Sequence, residues 1–138
     1  MESDKKIEWL RKVLHLQTKN GIACFYCGVP AEEKDHSVPI SYLDELKRLR
    51  DLGVKLDIPE QKMIDTCIEC NRIAGGRFLG TPLQRKIYIK TEIRKKYKKL
   101  LDSPDWEDED IEELDGRLQE YVVLYQEAKK LIKQRLIY

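Results

Sequence analysis

Two short stretches, Cys24-Phe25-Tyr26-Cys27-Gly28 and Cys67-Ile68-Glu69-Cys70-Asn71, contain all four cysteines of this 138-residue chain. In each stretch two residues separate the cysteines, and this spacing lets both thiolates of one turn face the same ion. Two such turns complete the tetrahedron of ligands that Zn²⁺ favours. Because four thiolates leave no open coordination position, we expect a structural zinc on Cys24, Cys27, Cys67 and Cys70, with any chemistry elsewhere.

Other interpretations of the cysteines compete with zinc. A redox C-x-x-C motif would need a thioredoxin-like βαβ pattern, which the sequence does not show. Disulfides do not suit the cytoplasm, where we place the chain because its N-terminus lacks the apolar segment of a secretory signal. Iron accepts the same four thiolates, so an iron site and a redox or electron-transfer role stay open as alternatives.

The composition predicts a single α+β domain over residues 1–138 that is mainly α. Charged residues make up 37% of the chain and hydrophobic residues 41%, a balance typical of long solvated helices around a modest core. We divide the chain into an N-terminal helix (1–21), a zinc-stapled core (22–80) and a helical tail (81–138). The expected elements are a helix over 4–19 that stops at Asn20-Gly21, a knuckle and hairpin over 22–40, a helix over 41–52, a strand over 63–66, a helix from about 67 to Gly75-Gly76, a helix over 83–101, and helices from 108 onward split at Gly116.

A second motif lies between the cysteine pairs. Asp35-His36-Ser37-Val38-Pro39 follows the first pair, and Asn71 follows the last cysteine directly. The order C-x-x-C, D-H-x-x-P and C-x-x-C-N over residues 22–80 resembles the HNH endonuclease family in its four-cysteine form. It is most similar to the small phage and prophage members and to phage endonuclease VII-type resolvases. No stretch is apolar for long enough to cross a bilayer, so no membrane role is expected.

This resemblance implies a ββα-metal, treble-clef-like core and a metal-dependent endonuclease that hydrolyses phosphodiester bonds in DNA. It implies that His36 is the general base and that Asp35 and Asn71 bind a catalytic Mg²⁺ or Mn²⁺. The chemistry is consistent, since phosphodiester hydrolysis needs a base for water and a cation for the phosphate charge. Adjacent strand residues face opposite sides of a sheet, so Asp35 and His36 can share a site only where the strand bends or ends, and Pro39 favours such an end.

The chain departs from the family at one position. The family carries an asparagine about five residues before the second cysteine pair, where it braces the loop around the base histidine, and this chain has Lys62 there. Gln61, Asp57 and Asp65 are the neighbouring candidates to replace it. The departure supports an alternative function, a non-catalytic zinc module that binds nucleic acid or a phage packaging partner.

The net charge of +1 is the cancellation of two strong blocks. Residues 83–101 are strongly basic, and residues 102–115 are acidic throughout. One interpretation is that the basic helix follows DNA phosphates, with RNA not excluded. The candidate contacts are Lys34, Arg72, Arg77, Arg85, Lys86, Lys90 and Arg94. The other interpretation is a solvated helix whose cations pair with the acidic block.

The C-terminal region carries an apolar stripe at helical spacing. Its members are Ile111, Leu114, Leu118, Val122, Tyr125, Ala128, Ile132 and Leu136. A junction resolvase would need a dimer, and this stripe is the candidate interface for a homodimer through the C-terminal helices.

Overall fold

The structure is a computed structural model that describes residues 2–15 and 21–138. These residues form a mainly helical α+β arrangement with one two-stranded antiparallel sheet, as the sequence predicts. The elements in chain order are α1 (Glu2–His15), β1 (Glu33–His36), α2 (Ile40–Asp51), β2 (Met63–Thr66), α3 (Ile68–Ala74), α4 (Pro82–Lys96), α5 (Lys98–Leu101), α6 (Asp108–Glu112) and α7 (Gly116–Ile137). Residues 16–20, on which the predicted end of the first helix falls, lie outside the described ranges.

The sheet forms differently from the hairpin predicted over residues 22–40. β1 pairs with β2, in a register that places Asp35 opposite Ile64 and His36 opposite Met63. The chain segment that connects the two paired strands therefore contains α2 and the loop after it. Within 22–40 the chain instead closes a short knuckle through an isolated bridge between Ala23 and Pro30.

Several helix ends follow their local sequence signals. Thr81 caps α4 through a capping box with Gln84, and Pro82 occupies the first turn, where its missing N–H is tolerated. The predicted helix over 83–101 is divided, because Tyr97 separates α4 from α5. The predicted breaks at Gly75-Gly76 and Gly116 are confirmed by the end of α3 and the start of α7.

One hydrophobic cluster joins the N-terminal helix, the cysteine segments and the C-terminal helices. Leu10 and Val13 of α1, Ile89 and Ile93 of α4, and Ile132 of α7 belong to it together with the four cysteines. Helix α7 packs extensively against α1 and also contacts α4, α5 and α6.

Part of the apolar stripe of the C-terminal region belongs to this cluster: Ala128 and Ile132 are members, and Tyr125 and Leu136 pack against it. Val122, Ala128 and Ile132 are buried by the chain's own helices, whereas Leu118 is 56% exposed. The buried members of the stripe therefore serve the core of the chain, and its use as a homodimer interface stays a prediction. Among the described helices, none combines the length and the apolar character that spanning a membrane requires.

Candidate functional site

The first cysteine pair lies in a tight knuckle. The N–H of Cys24 donates to the Val29 carbonyl at 2.6 Å, and the N–H of Gly28 donates to the Cys24 carbonyl at 2.9 Å. Gly28 has a φ of +81°, a conformation that glycine adopts without a steric penalty. A Cβ at this position would also lie 2.6 Å from the Tyr138 ring, so both the turn and the C-terminus require glycine here.

The second cysteine pair begins α3 and faces the first. Cys67 is the N-cap residue of α3, and its sulfur accepts the N–H of Cys70 at 3.4 Å. All four cysteines are buried and none forms a disulfide. Their Sγ atoms lie within 4.8 Å of one another, and those of Cys27 and Cys67 are 3.7 Å apart. A tetrahedron with Zn–S bonds of about 2.3 Å has S–S edges of about 3.8 Å, so the cluster has the dimensions of a four-thiolate metal site.

The ionisation of these thiols shows why the cluster needs a cation. Hydrogen bonds from Cys27, Cys67 and Cys70 hold the pKa of Cys24 well below its usual range. Hydrogen bonds with Cys24 and Cys27 raise the pKa of Cys67 and of Cys70. Four thiols this close cannot all become thiolates unless a positive ion compensates the charge. The structure thus provides four buried cysteines positioned to hold a metal ion.

A buried arginine from the far end of the chain lies beside this cluster. Arg135 of α7 is 1% exposed, and its Nη2 lies 4.0 Å from Cys67 Sγ and 3.9 Å from Cys70 Sγ. Its Nη1 lies 2.5 Å from Oε1 of Glu69, close enough for an ion pair although not aligned as a hydrogen bond. Burial raises the pKa of Glu69. Its neighbours Arg135, Lys96 and the Tyr97 hydroxyl outweigh this effect and hold the Glu69 pKa below its usual value. Arg135 therefore supplies positive charge to the outer side of a thiolate site.

Asp35 lies in a buried ion pair that local sequence patterns do not reveal. Its carboxylate receives hydrogen bonds from Nε and Nη2 of Arg85 at 3.0 and 2.9 Å and from the Tyr26 hydroxyl at 2.5 Å. Asp35 is 2% exposed and Arg85 is 0% exposed. Burial and the neighbouring Asp35 raise the pKa of Tyr26. A carboxylate held on both oxygens in the core does not fit the predicted role of an open Mg²⁺ or Mn²⁺ ligand.

His36 is the last residue of β1 and lies next to a well-fixed loop. It is half-buried, on the opposite strand face from Asp35. The N–H of Val38 donates to Gln61 Oε1 at 2.9 Å, and Gln61 Nε2 donates to the Val38 carbonyl at 2.5 Å. Ser37 and Lys62 add two further hydrogen bonds, from the N–H of each residue to an oxygen of the other. Of the candidates to replace the missing asparagine, Gln61 is thus the one that contacts the loop after His36.

Asn71 lies in α3, directly after the last cysteine, as the sequence predicts. Its side-chain Nδ2 donates to the Glu33 carboxylate at 2.6 Å, and this bond fixes the orientation of the amide. Glu33 and Asp35 occupy the same face of β1 because they are two residues apart. The structure brings Asn71 to Glu33, while Asp35 is taken by Arg85.

The predicted nucleic-acid contacts fall into different environments. The prediction that Arg85 contacts DNA at the surface is wrong. Arg85 lies in the core, where its guanidinium compensates the charge of buried Asp35. Lys34 pairs with Asp65 across the sheet, and the Arg77 guanidinium lies 5.5 Å from the centre of the Tyr88 ring. Arg72 is exposed on α3.

Lys86, Lys90 and Arg94 form a ridge on α4 at four-residue spacing. The Lys86 ammonium lies over the rings of Phe25 and Tyr138. Burial and the adjacent charges of Lys86 and Arg94 lower the pKa of Lys90. The acidic block pairs elsewhere, with Asp102 bonding Lys98 and Asp105 bonding Lys129. Within the described residues, no side-chain carboxylate pairs with the ridge, and the Lys86 Nζ donates to the main-chain oxygen of Tyr138 at 3.1 Å.

Sequence reasoning missed Arg85 as a core residue and missed Arg135 entirely. Both are arginines in helices rich in basic residues, and nothing in their immediate neighbours distinguishes them from solvated ones. Glu69 gave a weak indication that a cation lies near the cysteines, because it stands between Cys67 and Cys70, where charged groups outside the ligand set often support a metal site. Gln61 was one of three candidates named for their position, and the sequence did not distinguish it from Asp57 and Asp65.

Comparison of the chain with protein-family models, with curated proteins and with solved structures finds no match. The arguments for function therefore come from the geometry and chemistry of the residues described above, together with the motif resemblance.

Proposed function

We propose that this chain is a zinc-stapled endonuclease of HNH type that hydrolyses phosphodiester bonds in DNA with His36 as the general base. The observation that carries the proposal is the fixed loop after His36. Gln61 bonds both the N–H and the carbonyl of Val38 and so supplies the bracing that the family's asparagine would supply. A base must be held in position to act, and this loop holds the strand end that carries it.

In this proposal the metal of the four-cysteine site is structural zinc. Its distances and ligand chemistry suit Zn²⁺, and four thiolates leave no position for substrate. Cys70 on the zinc fixes the start of α3, and Asn71 follows it. The zinc therefore sets the position of Asn71 relative to the strand that bears His36.

The proposed reaction begins with proton transfer to His36. The imidazole accepts a proton from water while the water oxygen bonds to phosphorus and a bridging P–O bond of the DNA breaks, and the departing sugar oxygen takes a proton from solvent. Asp35 acts as a positioning residue, because its ion pair with Arg85 anchors the end of β1 to α4. Of the two predicted ligands for Mg²⁺ or Mn²⁺, the proposal keeps Asn71 alone, and such ions commonly take their remaining ligands from water and substrate phosphate.

The proposed DNA surface combines the α4 ridge with α3. Lys90 and Arg94 have no side-chain carboxylate partner within the described residues, Lys86 lies beside them on the ridge, and Arg72 lies exposed on the helix that bears Asn71. Phosphate contacts of this kind position a duplex without selecting a sequence. The phage or mobile-element origin that the motif resemblance suggests remains part of this proposal, as does the expected cytoplasmic location.

A second candidate is favoured by the Asp35–Arg85 pair. If the aspartate of the D-H motif is purely structural, the chain is a zinc module that binds nucleic acid or a packaging partner without cutting. This candidate keeps the basic surface and the zinc but assigns no reaction to His36.

Nicking of supercoiled plasmid with Mg²⁺ or Mn²⁺ separates the two candidates. We expect the wild-type protein to nick and His36→Ala to lose the activity at least 100-fold, because general base catalysis contributes roughly 10² to 10⁴ in rate. His15→Ala, which removes the chain's other histidine, is the matched control and retains activity. DNA binding without nicking by the wild type, with zinc intact, supports the binding module and rejects the nuclease.

A further inference from the structure

A cavity of about 670 Å³ lies away from His36, between α1, the α4–α5 junction and α7. Its volume is within the range of pockets that accept small organic ligands, about 300 to 1,000 Å³. None of its lining residues belongs to β1, β2 or α3. The cavity is therefore separate from both the four-cysteine site and the proposed nuclease site.

Aromatic rings form much of the cavity wall. Trp9 and Tyr97 make one pair, with ring centres 6.1 Å apart, and Tyr121 and Tyr125 make another, with centres 5.6 Å apart. Trp9 is 43% exposed. Tyr97 is fixed by its hydroxyl, which donates to Glu69 at 2.6 Å. Trp9, Tyr121 and Tyr125 thus offer partly open faces to a flat ligand, and Tyr97, which is 5% exposed, supports Trp9 from behind.

Lysines surround these rings. The lining lysines are Lys6, Lys95, Lys96, Lys98 and Lys99, and no carboxylate of the described residues lines the cavity. Lys95 and Lys98 pair with Glu92 and Asp102 outside the cavity, but their ammonium groups are exposed. Exposed pairs of this kind contribute little and exchange readily for another anion. Lys99 makes no ion pair within the described part of the chain.

We propose that this cavity binds an unpaired nucleotide, with the base against the aromatic rings and the phosphate on Lys98 and Lys99. Stacking platforms beside backbone-binding cations are the usual means of binding single-stranded nucleic acid. A base inside a duplex does not expose its face, so the site selects unpaired over paired DNA. The inference does not require that the chain cut DNA.

The test uses Trp9 fluorescence. Trp106→Phe leaves Trp9 as the one tryptophan of the chain and keeps the backbone hydrogen bonds between residue 106 and Gln126. Without added Mg²⁺ or Mn²⁺, this protein is titrated with oligothymidylate, with a duplex of equal length and with thymidine monophosphate. We expect saturable quenching by the single strand, at least tenfold tighter than by the duplex. An oligonucleotide that binds more tightly than the mononucleotide assigns the site to a DNA strand, and equal binding assigns it to free nucleotides.

Two sets of variants localise the binding. The double variant Lys98→Gln/Lys99→Gln should reduce the slope of log affinity against log salt by the equivalent of about two phosphate contacts. The control is the double variant Lys47→Gln/Lys55→Gln, which changes exposed lysines on and after α2 and should leave the slope unchanged. Tyr121→Leu, which keeps an apolar side chain, should weaken binding roughly tenfold through lost stacking. The proposal is overturned by absence of quenching, by equal affinity for single strand and duplex, or by equal effects of the two lysine pairs.

Discussion

The four-cysteine site and the D-H motif are close in sequence but are built in different ways. The four cysteines are buried and face one another, and nothing but a metal ion is needed to complete their site. In the D-H motif, Asp35 is paired with Arg85, and Gln61 holds the loop after His36. The amide of Asn71, on α3, is held by Glu33. The first site needs only a metal ion to be complete, whereas the second, under the proposed function, needs a substrate as well.

The largest effect should follow removal of the metal. Loss of the ion leaves four close thiols without compensation, and metal binding in small zinc proteins contributes on the order of 10 kcal/mol to folding. We expect chelation, or Cys70→Ser, to abolish cooperative thermal unfolding measured by circular dichroism. Addition of zinc should restore the transition in the chelated wild type and not in the variant. A transition unchanged by chelation would contradict the stabilising role of the metal.

Breaking the buried pair should have the next largest effect. Arg85→Met leaves the Asp35 carboxylate buried without its cation, which typically destabilises by about 3–5 kcal/mol. Urea unfolding measures the loss, and Lys86→Met, the neighbouring residue on α4, is the control expected to lose far less. Arg85→Met combined with Asp35→Leu should recover part of the stability. A loss below about 1 kcal/mol would show that the pair is not buried as described.

Arg135 tests how far the four-cysteine site extends. Arg135→Met removes the cation beside Cys67 and Cys70, and loss of such an outer partner typically lowers metal affinity by about 10–100-fold. Competition with a colorimetric chelator measures the affinity. Lys133→Met, an exposed residue of the same helix, is the control and should leave it unchanged. Equal metal affinities of the wild type, Arg135→Met and Lys133→Met would show that Arg135 does not contribute to metal binding.

The smallest effect on stability should follow substitution of Gln61, which holds the loop after His36. Gln61→Ala removes two hydrogen bonds to Val38, for an expected loss of about 1–2 kcal/mol, and should also reduce nicking. Gln126 bonds the N–H and carbonyl of Trp106 in the same pattern, at 3.0 and 2.9 Å, so Gln126→Ala is a matched control. It should lose similar stability with nicking retained. Equal nicking by both variants would remove Gln61 from the functional site.

The same contrast explains what the sequence could predict. The clustering of the four thiols could be predicted because the spacing within each C-x-x-C pair determines how the two thiols face one ion. The strand at residues 63–66 could be predicted from its own short sequence. The partner of β1 could not, because it lies beyond α2 rather than across a tight turn. Nor could the burial of Arg85 or Arg135, since each is decided by an acid or thiol cluster at least 50 residues away. Helix patterns assign basic residues to the surface and cannot identify Arg85 and Arg135 as residues of the core.

Metal stoichiometry in the absence of DNA tests the central claim most directly. The zinc-loaded protein is titrated with Mn²⁺ and followed by electron paramagnetic resonance, beside Asp35→Asn. The account predicts one zinc held by the cysteines and no stoichiometric Mn²⁺ site, because Asp35 is committed to Arg85. A tightly bound Mn²⁺ that disappears in Asp35→Asn would contradict it and would return Asp35 to the role of a metal ligand.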